Sequence, residues 1–186
     1  MKLNRFVLIG GLFGCAALFA QDPAGVNQRR ENQQDRVANG IQSGQLTAGE
    51  TKNLEGQESN LNREIKDDRQ ANGGKLTSAE KQQVNQQQNN LSNKIYQDKH
   101  NANAAHYGNN ETGARRQLQQ DRIAQGVRNG SLNAGQTSRL ENREQGINQQ
   151  VKADRQANGG KLTGQEKKQI NHQQNVASRK IYKAKH

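Results

Sequence analysis

The chain has 186 residues, with no Trp and one each of Cys, Met and Pro, and its 28 Lys and Arg against 17 Asp and Glu leave a net charge of +11. Only 29% of residues are hydrophobic and 3% aromatic. About two dozen large aliphatic and tyrosine side chains after residue 20, at ~1.5–3 kcal/mol each, must offset ~1–2 kcal/mol of backbone entropy per residue, which excludes a bulky globular core, and a lone cysteine excludes an internal disulfide framework.

Residues 1–20 form a separate regime. Lys2 and Arg5 precede an apolar run, Phe6 to Phe19, that stops at Ala20 before Gln21-Asp22-Pro23. This predicts a signal peptide cleaved after Ala20 and a periplasmic or secreted protein. The run is too short for a membrane span. Leu12-Phe13-Gly14-Cys15 also resembles a lipobox, which would leave an acylated Cys15. Phe13 suits such a site poorly and the apolar run continues past Cys15, so cleavage after Ala20 is the favoured reading. All three Phe, the Met and the Cys lie in this segment, and without it, Lys2 and Arg5 being lost, the chain carries +9.

The remainder is written twice. Residues 29–100 align without a gap on 115–186, with 41 of 72 positions identical, and Asp68 to Thr77 repeats unchanged as Asp154 to Thr163. A composition rich in Gln, Asn, Lys and Arg admits disorder, but the apolar residues keep helical spacing. In chain order, helices are predicted over 26–43, 48–72, 78–106, 112–129, 134–158 and 164–184. The turns carry stop and start signals. Gly44 ends a helix and Thr47 with Glu50 forms a capping box; Gly74, Thr77 and Glu80 repeat the device, as do Gly160, Thr163 and Glu166. Asn133 and Gln136 stand in at the remaining turn. The segment Asn101 to Gly113 reads as the link, giving unit 1 over 21–106, a linker at 107–113 and unit 2 over 114–186. The predicted fold is all-α: two tandem three-helix antiparallel units.

Fold-back at these turns sets Leu54 opposite Ile95, Ile65 opposite Val84 and Leu61 near Leu91. It also pairs Leu140 with Ile181, Val151 with Ile170, Val37 with Leu54 and Val26 with Ile65. Comparison of the copies supports these seams. Val37/Ile123, Ile41/Val127, Leu61/Ile147, Ile65/Val151 and Val84/Ile170 exchange one aliphatic for another, as packed positions do. Gln42/Arg128, Asn53/Arg139, Arg63/Gln149 and Gln97/Lys183 exchange polar groups and are expected in solvent.

The repeated G-x-L-T-x-x-E turns, the Asp-Arg-x-Ala-x-Gly stretches at Asp35 and Asp121, and the Ile-Tyr-x-x-Lys-His endings at Ile95 and Ile181 resemble uncharacterised secreted proteins of Gram-negative bacteria. The resemblance covers nearly all of the chain after residue 20. It implies a small exported helical protein, here in tandem form, and brings no activity with it.

Candidate chemistry is sparse. Read as degenerate EF-hand loops ending at Glu80 and its counterparts, the turns have the apolar and glycine positions but place Arg69, Ala71 and Gly73, or Asn39, Ile41 and Ser43, where calcium needs carboxylates. A glycine C-cap and capping box explain every residue, so no metal or cofactor is expected. Tyr96/His100 and Tyr182/His186 share helix faces and are expected to close the ends of the seams; His106 and His172 have no counterpart. Neither H-E-x-x-H nor G-x-S-x-G occurs, and no enzymatic activity is expected. Positive charge remains. Arg29, Arg30, Arg115, Arg116, Lys167, Lys168, Arg179, Lys180, Lys183 and Lys185 are candidates for binding a polyanion such as anionic lipid or polysaccharide. With three tyrosines to stack on, sequence-specific nucleic acid binding is not expected. The leading expectation is an exported, non-enzymatic repeat protein with a structural or macromolecule-binding role, self-association included; the polyanion or membrane-surface binder and the degenerate ion-binding protein are the alternatives.

Overall fold

A computed structural model describes residues 23–186, so the predicted leader and Cys15 lie outside the described residues. Six helices follow in order: α1 (Pro23–Ser43), α2 (Ala48–Ala71), α3 (Ser78–Lys99), α4 (Glu111–Arg128), α5 (Ala134–Ala157) and α6 (Gly164–Lys185). No strand occurs among the described residues. The chain is all-α, and none of its described helices is long and apolar enough to cross a membrane.

The predicted ends hold within a few residues except at α3, which stops at Lys99 instead of 106. Asparagine side chains end it. Asn101 and Asn103 both donate to Glu50 Oε1, at 2.7 and 3.0 Å, Asn101 Oδ1 accepts from the Asn103 amide, and Ala105 N donates to Gly44 O at 2.9 Å. Such local bonds compete with helix continuation, and they pin the link across the α1–α2 turn. Gly113, read as linker, lies inside α4.

The turn motif has a packing reason beyond capping. At the first turn of each copy, Gly44 and Gly130 take φ of 72° and 71°, and the Leu46 and Leu132 amides donate back to Gly40 O and Gly126 O at 3.0 and 2.9 Å. Each leucine then fills the space above a glycine of the preceding helix. A Cβ at Gly40 or Gly126 would lie 2.6 Å from Cδ1 of Leu46 or Leu132. This explains the Asp-Arg-x-Ala-x-Gly stretches: Ala38 and Ala124 are buried, the glycine admits the leucine, and Arg36 and Arg122 donate to the Ser92 and Ser178 carbonyls. Capping boxes form at Thr47/Glu50, Thr77/Glu80, Asn133/Gln136 and Thr163/Glu166.

The most extensive helix contacts join the two copies, α2 against α5 and α1 against α4. The α2–α5 pair is antiparallel. Gly49 faces Gln145, Gly56 faces Ser138 and Ser59 faces Gly135, with Lys52 Nζ donating to Gln145 Oε1 and Ser138 Oγ to Lys52 O, both at 2.9 Å. Small residues let the backbones approach. The central apolar cluster therefore draws on both copies: Val37, Ile41, Leu54 and Ile95 with Ile123, Val127, Leu140 and Ile181, among others. Val26, Leu61, Ile65, Leu76 and Val84 form one satellite, and Ile147, Val151, Ile170 and Ala177 the other. The predicted seams place their partners in common clusters with one exception. Leu61 and Leu91 are separated because buried Glu58 and Gln88 lie between them along their helices. All five aliphatic exchange pairs are buried, and the four polar exchange pairs are exposed.

Gly40→Ala and Gly126→Ala should each destabilise the protein by about 1–2 kcal/mol, overpacking against the leucine outweighing a ~1 kcal/mol gain in helix propensity. Gly146→Ala, where nothing lies within 4 Å of the new Cβ, should stabilise by about 0.5–1 kcal/mol. Urea melts compare the three, and equal shifts at Gly126 and Gly146 would refute the leucine-in-glycine packing.

Candidate functional site

Three groupings of polar side chains stand out, and the first is buried. In the first copy Gln33 Nε2 donates to Gln88 O at 2.7 Å, Gln88 Nε2 to Val26 O at 2.9 Å and Gln34 Nε2 to Glu55 Oε1 at 3.1 Å. The second copy repeats each bond: Gln119 to Gln174 O, Gln174 to Thr112 O and Gln120 to Glu141 Oε2, at 2.8, 2.9 and 3.0 Å. A glutamine amide thus ties each neighbouring helix backbone where aliphatic residues are scarce. Beside this layer α2 and α5 bury Glu55, Glu58, Glu141 and Glu144. Burial, joined by repulsion from Glu58, pushes Glu55 up to about 8. Burial also lifts Glu58 to about 7 and Glu144 to about 7, the latter against the pull of Arg116 and Arg143. Glu141 is pushed well above the carboxylate range by burial, with Glu144 and Glu55 adding to it against the Gln120 hydrogen bond. Glu58 Oε2 and both Glu144 oxygens are buried without a partner, as fits a layer that holds protons near neutral pH.

Sequence reasoning missed this layer because it looked for conserved volume. The signal was present as identical polar residues one repeat apart: Gln33/Gln119, Thr51/Thr137, Glu55/Glu141, Glu58/Glu144 and Gln88/Gln174. These five polar pairs are buried in both copies.

The second grouping is a pair of basic cavities at equivalent places. One, of about 480 Å³, is lined by Arg30, Lys66 and Arg69. The other, of about 780 Å³, is lined by their counterparts Arg116, Lys152 and Arg155 together with Tyr107. The link makes them differ. Tyr107 lies under the Arg116 guanidinium, 5.3 Å from carbon to ring centroid, and Arg116 is buried whereas Arg30 is exposed.

The third grouping is the set of cations read from sequence, which the fold disperses. Arg29 donates to Asn89 and Arg115 to Asn175, so both lie along the outer edge between the first and third helices of their copies. Arg116 faces the larger cavity and Arg30 the smaller. Lys185 is tied to Arg122 O and Gln125 Oε1. Lys167, Lys168, Arg179, Lys180 and Lys183 are exposed on α6. Tyr96 and Tyr182 do not close the seams: they are 59% and 60% exposed, stacked or tilted on His100 and His186 with centroids 4.2 and 4.6 Å apart. The apolar residue before each, Ile95 or Ile181, fills the seam and turns the tyrosine outward. In the turns, the Glu50, Glu80 and Glu166 carboxylates accept from the Thr47, Thr77 and Thr163 amides at 2.9, 2.7 and 2.8 Å. These amide bonds hold Glu80 and Glu166 below the usual carboxylate range. Among the described residues no three His, Cys, Asp or Glu side chains gather as a metal site would require.

Neither a family model, nor a curated protein, nor a solved structure matches the chain.

The buried glutamates predict an inverted pH response. Their folded pKa values lie above the ordinary 4.5, so their stabilising contribution is complete below about pH 4.5 and is lost as pH rises through about 7 to 8. The melting temperature should be higher at about pH 5.5 than at pH 8. Glu141→Gln should recover on the order of 1–3 kcal/mol at pH 8 and change little at pH 5.5. A protein that melts higher at pH 8, or a Gln variant that is weaker there, would contradict buried, proton-holding carboxyls.

Proposed function

We propose that this is an exported, non-enzymatic helical-repeat protein that binds an acidic polymer, such as an anionic polysaccharide, along the outer face of α6. One observation carries the reading: the two copies share a scaffold and differ in charge. α6 has Lys167, Lys168, Arg179, Lys180, Lys183 and Lys185 against the single acid Glu166, whose carboxylate is engaged in its cap. Its counterpart α3 has Lys81, Lys94 and Lys99 against Glu80 and Asp98, and Lys94 pairs with Asp98 at 2.6 Å. At ~100° per residue, Lys168, Arg179, Lys180 and Lys183 fall within one arc of α6, on the side away from the buried Ile170, Gln174, Ala177 and Ile181. These cations span ~23 Å along the helix, a stripe that suits a linear polyanion. A polymer is favoured over a lipid surface because, among the described residues, the exposed large hydrophobics are Leu118 and two tyrosines, too few to insert among acyl chains. The signal peptide and the resemblance to secreted bacterial proteins support export.

Heparin serves as the polyanion probe. The protein should be retained at low salt and elute as ionic strength rises. Replacing Lys168, Arg179, Lys180 and Lys183 by Gln should abolish retention at about 0.15 M salt, where screening is already substantial. Removing four exposed cations elsewhere, Arg63, Lys75, Arg139 and Arg143, should shift elution only slightly. Equal losses from both quadruple variants would reduce the effect to net charge, and tighter binding to anionic vesicles than to heparin would replace the polymer by a membrane surface.

A further inference from the structure

A guanidinium stays charged at any physiological pH, so a buried one is ordinarily held by a counter-charge or by several acceptors. Arg116 has neither. It is 8% exposed, its Nε is sealed from solvent without an acceptor, and among the described residues it makes no hydrogen bond or ion pair; its one close companion is the Tyr107 ring. Glu144 attracts it from beyond ion-pair distance and Arg155 repels it, while burial weakens its hold on the proton. Arg116 lines the 780 Å³ cavity beside Lys152 and Arg155, and neither of those side chains makes a hydrogen bond or ion pair among the described residues. Ala48 and Gly49, which open α2, also line it, and first-turn amides have no intrahelical acceptor and favour an anion. Tyr107 and Ala105 supply the apolar side.

We propose that this cavity binds a small organic oxyanion, a carboxylate or phosphate monoester, with its head group on Arg116 between Lys152 and Arg155 and its body against Tyr107. A planar guanidinium presents paired N–H groups to such a head, and the volume falls within the usual range of small-molecule sites. The site is separate from the α6 stripe and belongs to the second copy alone in its finished form, since Arg30 in the first copy is exposed.

Tyrosine fluorescence tests this directly. In a Tyr96→Phe/Tyr182→Phe protein, both changes being at exposed positions, Tyr107 is the one remaining tyrosine. Titration with benzoate, phenyl phosphate and inorganic phosphate should give a saturable change, tighter for phenyl phosphate than for inorganic phosphate. Arg116→Gln should weaken binding at least tenfold, Lys152→Gln several-fold, and Arg30→Gln, which removes the same charge from the other cavity, not at all. Without ligand, Arg116→Gln should raise the melting temperature by roughly 2–4 °C, because an unpaired buried charge is removed. Absence of a saturable response to all three probes at millimolar concentration overturns the proposal. So does equal weakening by Arg30→Gln and Arg116→Gln, or a lower melting temperature for Arg116→Gln, which would make the residue structural. Inorganic phosphate binding as tightly as phenyl phosphate would overturn the organic body of the ligand.

Discussion

Gly49 against Gln145, Gly56 against Ser138 and Ser59 against Gly135 bring α2 and α5 together as an antiparallel pair, and the rest of the molecule is arranged around that approach. It carries Leu54 and Leu140 into one cluster with the aliphatic residues of both copies. A single copy holds too few large apolar side chains to build a core of useful size, since small domains bury proportionately less of their surface. Duplication answers that shortage by letting two weak units share one interior. The link between copies follows from the same geometry: it lies over the α1–α2 turn, fixed by Asn101, Asn103 and Ala105, and ends at the Asn110 cap of α4.

Where aliphatic side chains run out, glutamine takes over. The amides of Gln33, Gln88, Gln119 and Gln174 each reach the carbonyl of a neighbouring helix, a directional substitute for packing that also fixes helix register. The glutamates beside them come at a cost. A buried carboxyl without a full set of partners is kept neutral by the surrounding low dielectric, so this interior gives up stability near neutral pH, where those carboxyls would otherwise ionise. Because the same bonds occur in both copies, the layer is a property of the repeat.

Function, by contrast, is to be sought in what the copies do not share. The scaffold positions are retained while the charge of α6 departs from that of α3, and the link brings Tyr107 under Arg116 in the second copy. Copy two thereby combines an open cationic helix face with a half-closed basic cavity. Copy one keeps the Arg30, Lys66 and Arg69 lining with Arg30 exposed to water.

The sequence by itself determined the six helices, their caps and most of the seam partners, because glycine conformation, capping-box spacing and aliphatic periodicity act over a few residues. The copy-to-copy exchanges also separated inside from outside, since only packed positions demand conserved volume. The end of α3 escaped it, as that depends on Asn101 and Asn103 reaching Glu50, some fifty positions earlier. Pairing of the copies and the cavity at Arg116 were decided by tertiary structure alone, while the buried glutamates left only a trace in the sequence, as acids identical in both copies. Arg115 and Arg116 read alike along the chain, yet a ~100° step around α4 sends one to the outer edge and the other over the Tyr107 ring. Whether a charge meets water or protein depends on what packs against its face of the helix, and that neighbour comes from a distant part of the chain.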